Sequence, residues 1–159
     1  MTALIITGCG YKPVAQYGRD LLPGPVYVDV RLSGVEPQNG VYLKDEIIRM
    51  LKNRFHEKVS LHKEGAVSQI VVPGYTIGYS PLTYDKNGYV TRYRVTTDIT
   101  FNLIMPKEKL SKKIVSSEDV SIQPGSLTSS VAREAAIRVA IRKAMDQFLA
   151  YVAQKGYGK

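Results

Sequence analysis

A single cysteine stands in the 159 residues, Cys9, so no internal disulfide can form and no paired-cysteine redox or zinc site can be built. Histidine is nearly as scarce, at two positions, His56 and His62. Neither has a nucleophile at a telling spacing, and both read as surface residues. No apolar run approaches the roughly 18 residues of a membrane-spanning helix. The phosphate-binding G-x-x-x-x-G-K-[ST] loop and the H-E-x-x-H zinc motif are missing as well. The neighbouring carboxylates Asp45/Glu46 and Glu118/Asp119 diverge on a helix or strand instead of facing one another. Together these absences argue against an enzyme and against a metal or other cofactor.

Positive charge, by contrast, is in excess. Lys and Arg number 22 against 14 Asp and Glu, a formal net charge of +8, which favours contact with a polyanion. Nucleic acid, phospholipid headgroups and lipopolysaccharide phosphates all qualify, and the blander reading is a solvated, solubilising surface. With 44% hydrophobic and 23% charged residues the chain has enough apolar surface to fold, and a chain of about 150 residues suits one domain with one core.

Residues 10–25, "GYKPVAQYGRDLLPGP", are rich in proline and glycine and predict an irregular tether. "VYVDVRL" then alternates Val26, Val28, Val30 and Leu32 with polar residues, the pattern of a half-buried strand. After "EPQNG", Asn39 or Gly40 begins a helix whose apolar stripe is Leu43, Ile47, Met50, Leu51 and Phe55, with Asp45 placed to pair with Arg49. "SQIVVPGYTIGYS" predicts a strand that carries a bulge or an edge at Pro73 and Gly74. A turn at Asp85 to Gly88 makes a hairpin.

The strand after that turn is the clearest in the chain. Tyr93, Val95, Thr97, Ile99, Phe101, Leu103 and Met105 share one face, and Arg92, Arg94, Thr96, Asp98, Thr100 and Asn102 the other. "PKEKLSKK" turns the chain into a further strand, "IVSSEDVSI". The Ser/Thr run 126–130 caps a long helix with the stripe Ile137, Ile141, Met145, Phe148 and Val152, small faces at Ala132, Ala136 and Ala140, and a stop at Gly156. Two amphipathic helices need a common apolar partner. The expected fold is therefore α+β, a two-layer sandwich in the order β-α-β-β-β-α, with a four-stranded, mostly antiparallel sheet and both helices on one face. Its other face would be polar and available.

Two surface features bear on binding. Tyr27, Tyr79, Arg92 and Arg94 on that polar face suggest the stacking platforms of RNA-binding sheets, although no aromatic falls among the polar-face residues from Arg94 to Asn102. Tyrosines that merely favour strands at edges are the favoured explanation. Lys107, Lys109, Lys112 and Lys113, with Arg92 and Arg94 upstream, form a basic cluster that either contacts phosphates or decorates a hairpin tip and blocks strand pairing at an edge.

The N-terminus carries the most specific signal. Ile6-Thr7-Gly8-Cys9 resembles a bacterial lipobox, in which the cysteine receives diacylglycerol and becomes the first residue of the mature protein; chance occurrence is the alternative, and no basic residue precedes the short apolar run Ala3 to Ile6. The Pro/Gly-rich stretch behind it suits a flexible stand-off from a bilayer. Gly10 follows the cysteine, where the inner-membrane retention signal of many enterobacterial lipoproteins has Asp, so the address resembles that of the outer membrane, at its periplasmic face. The expected division is a residual signal segment at 1–8, a lipidated tether at 9–25, one α+β domain at 26–155 and a flexible tail at 156–159.

Taken with "GCGYKP", the hairpin "YDKNGYVTRYRVTTDITFNLI" and the terminal helix "SSVAREAAIRVAIRKAMDQFL", the layout resembles the lipopolysaccharide-assembly lipoprotein family, LptE. That resemblance implies a non-enzymatic subunit that plugs the outer-membrane barrel LptD, aids its assembly and binds lipopolysaccharide, with no nucleic acid as partner. Cys9 is the one position carried over from the family. Arg92, Arg94, Lys107, Lys109, Lys112 and Lys113 are lipopolysaccharide-binding candidates on charge and placement, through contacts that salt should weaken. A generic envelope scaffold lipoprotein and a cytosolic RNA-binding domain are the other classes left open.

Overall fold

The computed structural model describes residues 22–34, 36–54, 58–123 and 128–156. Its elements are β1 (Val26–Val30), α1 (Pro37–Arg54), β2 (Val59–Ser60), β3 (Ser68–Tyr84), β4 (Val90–Ile104), β5 (Lys109–Ser121) and α2 (Thr128–Gly156). The strands form one sheet in the order β2-β1-β3-β4-β5. The expected α+β sandwich with both helices on one face is present, but the sheet has five strands instead of four. The extra strand, β2, is two residues long, too short for any periodicity to announce it. It exists because α1 returns the chain beside β1, where the Val26 amide donates to the Lys58 carbonyl at 2.8 Å.

β1 pairs parallel with β2 and β3, whereas β3–β4 and β4–β5 are antiparallel. A helical crossover returns the chain in the direction it left, so β1 can meet the strand that follows α1 only in parallel. Strand β1 stops at Val30, and Leu32, expected to continue its buried face, is 57% exposed. Helix α1 begins at Pro37, ahead of the expected Asn39 or Gly40; proline is well suited to the first helical position, where its missing amide costs nothing. The Asn39 side chain, itself buried, donates to the Glu36 carboxylate. Gly40 has a packing role instead of a starting one. A Cβ there would lie 2.8 Å from the Tyr75 hydroxyl and 2.7 Å from Leu32 Cδ2.

The core lies between the sheet and the two helices. Val26, Val28, Ile70, Val72, Val95, Ile99, Phe101 and Leu103 from the sheet meet Leu43, Ile47 and Leu51 of α1 and Ile137, Ile141, Met145 and Phe148 of α2. The predicted stripe of α1 is therefore buried, apart from Phe55, which lies outside the described residues. Phe101 and Phe148 stack with ring centroids 4.7 Å apart, a contact worth about 0.5–1.5 kcal/mol beyond the area it buries. Leu22, ahead of β1, is also buried at 1% exposure, and the Ser68 hydroxyl donates to the Pro23 carbonyl at 2.8 Å. Packing thus begins before the first strand.

Small residues set the height of α2 above the sheet. Ala136, Ala140 and Ala144 are buried, and the Ser116 hydroxyl donates to the Ala140 carbonyl at 2.5 Å. Thr97, 2.8 Å from Ser116, completes this chain of buried hydroxyls. A backbone carbonyl in mid-helix can accept a second hydrogen bond, so the hydroxyls are satisfied without breaking the helix.

Candidate functional site

The sheet face away from the helices is uncovered. On it the strand registers align mostly short residues in rows: Gly78, Thr96 and Ser117; Thr76, Asp98 and Val115; Gly74, Thr100 and Lys113; Val71, Asn102 and Ser111. A Cβ added at Gly74 or Gly78 would meet nothing within 4 Å, so this side of β3 is open and shallow. Its charges are cross-linked to one another. The Lys113 ammonium lies 2.9 Å from the Asp98 carboxylate, and Ser111 donates to Asn102 at 2.7 Å.

The largest such link is at the far end of β4. Arg94 grips Asp119 with two hydrogen bonds, Nε to Oδ1 at 2.8 Å and Nη2 to Oδ2 at 3.1 Å, and Arg92 Nη2 reaches Oδ2 at 3.2 Å. Hydrogen bonding from Arg94 holds the Asp119 carboxyl below its ordinary value, with the Arg94, Arg92 and Lys143 charges acting in the same direction. The Arg94 guanidinium is raised by the same hydrogen bonds and charge. One carboxylate thus serves two guanidinium groups and leaves that end with a single surplus positive charge. Asp119 was not among the candidates from the sequence. Its signal is the cross-strand register, Arg94 opposite Asp119, which requires the strand pairing to be known.

The six basic candidates do not form one cluster. Lys107 and Lys109 are exposed at the β4–β5 turn, closed by the Met105 amide donating to the Glu108 carbonyl at 2.8 Å. Lys113 stands on the open face. Lys112, its neighbour, points to the helix side, with its ammonium 5.1 Å from the Tyr151 ring centroid. Consecutive strand residues alternate between faces, which separates these two lysines. Arg92 and Arg94 lie at the other end of β4, roughly 40 Å away at about 3.3 Å per residue. Cys9 lies outside the described residues, as does His56; His62 is exposed.

Pro73 decides the fate of the tyrosine platform. The β3–β4 register slips between Val71 and Gly74, and the inserted residue shifts the buried set of β3 from Ser68, Ile70 and Val72 to Tyr75 and Ile77. Tyr79 follows them to the helix side, opposite Val95 and beside Asn39, Tyr42 and Arg133. Burial raises the Tyr79 hydroxyl above its ordinary value, with the Glu36 charge adding to the effect and Arg133 opposing it. Tyr79 therefore does not share a face with Arg92 and Arg94, and the platform expected from the sequence is not assembled.

Beyond the helices, β3 and β4 run on as a two-stranded hairpin. Asp85 organises its turn, accepting from the amides of Asn87 at 2.8 Å and Tyr89 at 2.9 Å, with Gly88 in the left-handed region at φ +82°. A type I turn followed by a left-handed glycine is a common hairpin closure. Leu82, Tyr84 and Tyr89 are exposed around it by 39, 56 and 60%. Among the described residues there is no cluster of three or more metal-ligating side chains, and no helix long and apolar enough to cross a membrane.

A family model described as LptE, lipopolysaccharide-assembly, matches residues 27–152. No curated protein matches the chain in sequence. Among solved structures, rare lipoprotein B from Shewanella oneidensis aligns with a TM-score of 0.54 at 17% identity, covering 83% of this chain and 97% of that one. A protein from Caulobacter crescentus aligns with a TM-score of 0.58 at 11% identity, covering 92% and 97%. Lipoprotein B from Nitrosomonas europaea aligns at 0.53 and 16% identity, covering 83% and 84%. At these identities the structures share the fold.

Proposed function

The chain belongs to the lipopolysaccharide-assembly (LptE) family, and from that premise we propose a non-enzymatic lipoprotein of the outer membrane that associates with the lipopolysaccharide-translocating barrel of LptD type, aids its assembly and binds lipopolysaccharide for delivery to the outer leaflet. The anchor is a lipid on Cys9, with the residues between it and the packed Leu22 as tether. The structures from Shewanella and Nitrosomonas carry lipoprotein names, which supports the same mode of attachment here.

The observation that carries the reading beyond the family is the uncovered polar face of a sheet whose other face packs against the two helices along its core. A surface of mostly short side chains, on which Lys113 is paired with Asp98 and Arg94 with Asp119, suits a snug, water-excluding contact with a polar wall. It avoids the desolvation of unpaired charge, which would cost several kcal/mol per ion. The interior of an outer-membrane barrel is such a wall.

The two ends of the sheet divide the task. The chain enters at Val26, beside Ser68 and near the Ile104 and Lys109 ends of β4 and β5, so Lys107 and Lys109 lie at the anchored end. The Tyr84–Val90 hairpin closes the opposite end, carrying Arg92 and Arg94 near it. Lipid A and core phosphates would be met by these cations through salt-sensitive contacts.

The test is affinity purification of the C-terminally tagged protein from its own detergent-solubilised envelope, with mass spectrometry of its N-terminal peptide and its partners. An acylated Cys9 peptide with a stoichiometric large barrel is the expected result. An acylated Cys9 with no barrel reduces the protein to a general envelope scaffold, and an intact Met1 in the soluble fraction overturns the proposal.

A further inference from the structure

The helix layer holds a charge cluster that the open sheet face does not use. Glu46 on α1 is 4% exposed, and its Oε1 accepts no hydrogen bond among the described residues. The sequence placed Asp45 with Arg49, but it is Glu46 that Arg49 approaches, Nη1 to Oε1 at 3.2 Å. From α2, Arg138 Nη1 stands 3.9 Å from Oε1, and Arg142 Nε stands 3.8 Å from Oε2. Arg138 has other engagements, with Glu134 at 3.1 Å and over the Tyr42 ring at 4.2 Å. Arg49 and Arg142 expose 53 and 54% of their side chains. Beside this group a cavity of about 180 Å³ opens between the helices, with Met50, Met145, Asn53 and Asp146 completing its wall.

A buried carboxylate oxygen without a donor is costly and calls for a physical explanation. A bare anion in this cavity would satisfy the guanidinium groups but crowd Glu46 and Asp146 and leave Oε1 without a donor. A bare cation would meet three arginines. Both halves are answered by one molecule that carries an ammonium beside a phosphate. We propose that the α1–α2 seam is a binding site for a small zwitterionic phosphoester of the phosphoethanolamine class. Its ammonium donates to Glu46, its phosphate is held by Arg49 and Arg142, and its methylene link lies on Met50 and Met145. Guanidinium groups pair with phosphate oxygens in two-point fashion, and the thioethers supply an adaptable apolar wall. The group can arrive as a lipid headgroup or as a soluble or sugar-borne ester. The site lies on the other side of the molecule from the open sheet face and stands independently of the lipopolysaccharide contacts proposed above.

The experiment is titration of the full chain with O-phosphoethanolamine, read from the methyl signals of Met50 and Met145. Saturable shifts are expected, with ethyl phosphate, which lacks the ammonium, binding at least tenfold more weakly. Arg142→Ala, at a half-exposed side chain, should weaken the binding at least tenfold, as should Glu46→Gln. The ethyl phosphate comparison tests the role of Glu46 even if that buried variant unfolds. Absence of saturation, equal binding of ethyl phosphate, or an unchanged Kd in Arg142→Ala each overturns the site and leaves a water-filled crevice. Competition from phosphatidylethanolamine vesicles, but not from phosphatidylglycerol vesicles, assigns the lipid headgroup as the source. Binding without such competition assigns the soluble or sugar-borne ester, and both results retain the site.

Discussion

Val72 and Tyr84 belong to the same strand, yet one is fully buried and the other 56% exposed. The difference follows from what flanks each end of β3. Near Val72 the strand has β1 on one side and β4 on the other, with helices over the buried face. Beyond Val72, β1 has ended, and the strand pairs only with β4. The covered end is held by apolar burial, which tolerates little change. The far hairpin is held by its turn and by cross-strand contacts, which leave its outward side chains free to serve a partner.

The sharpest way to break this comparison is to remove equal bulk from both ends. Phe148→Ala deletes the stack on Phe101 in the covered region and should lower the unfolding free energy by about 3–5 kcal/mol. Tyr84→Ala and Tyr89→Ala should stay within about 0.5 kcal/mol of the parent. Urea denaturation of the three variants decides it, and a comparable loss at the hairpin would show that the tip is packed against something in the free protein. Gly88→Val comes next. A β-branched residue at φ +82° should cost about 1–2 kcal/mol. Because the turn is local, the loss should show first as faster amide exchange between Tyr84 and Val90, with the core amides of β4 still protected.

The same contrast governs what could be read from the sequence. Where one side of a strand is sealed, alternation is enforced, and Val95 to Leu103 announced their face correctly, Thr97 included. The stripes of both helices were legible for the same reason, as was a bulge or edge around Pro73 and Gly74. The consequence of that bulge was not legible, since a single inserted residue transfers Tyr79 to the other face, and whether the chain absorbs it depends on β4. Lys112 and Lys113 are close in sequence, yet strand alternation assigns them to opposite faces. Helix spacing favours Asp45 as the partner of Arg49, whereas the burial of Glu46 depends on where α2 crosses α1. β2 owes its existence to a tertiary return of the chain. Helices, long strands and core were thus visible, whereas the pairing of charges was not.

A smaller effect sharpens the assignment of the open face. Charge reversal at Lys109 and Lys113 together should weaken lipopolysaccharide binding by more than about thirtyfold at fixed salt, since the loss of two lysines at about 1 kcal/mol each near an anionic surface already amounts to that. Lys112→Glu, on the helix side beside Tyr151, should change binding by less than about twofold while losing its cation–π contact. Both variants are measured by lipopolysaccharide capture at constant ionic strength. Equal losses would mean that the total positive charge governs binding, and the face would have no special part in it.

The smallest expected effect concerns the clamp on Arg92 and Arg94. Asp119 titrates below its ordinary 3.8, chiefly because Arg94 hydrogen-bonds its charged form. A depressed carboxyl contributes stability that is fully present above its unfolded-state value and is lost as pH falls through the folded one. Between pH 7 and 5 this group should therefore leave the urea midpoint unmoved; in acid below 3.8 the parent should lose more than Asp119→Asn does. Carboxyl resonances followed through the titration give the direct check. A midpoint for Asp119 at or above 3.8 would mean that the arginines are not tied to it in solution. They would then be two free cations at the far end, and Asp119→Asn could not strengthen phosphate binding. With the clamp in place it should do so modestly, because the substitution keeps the shape of the side chain and returns to both guanidinium groups the charge that Asp119 now occupies.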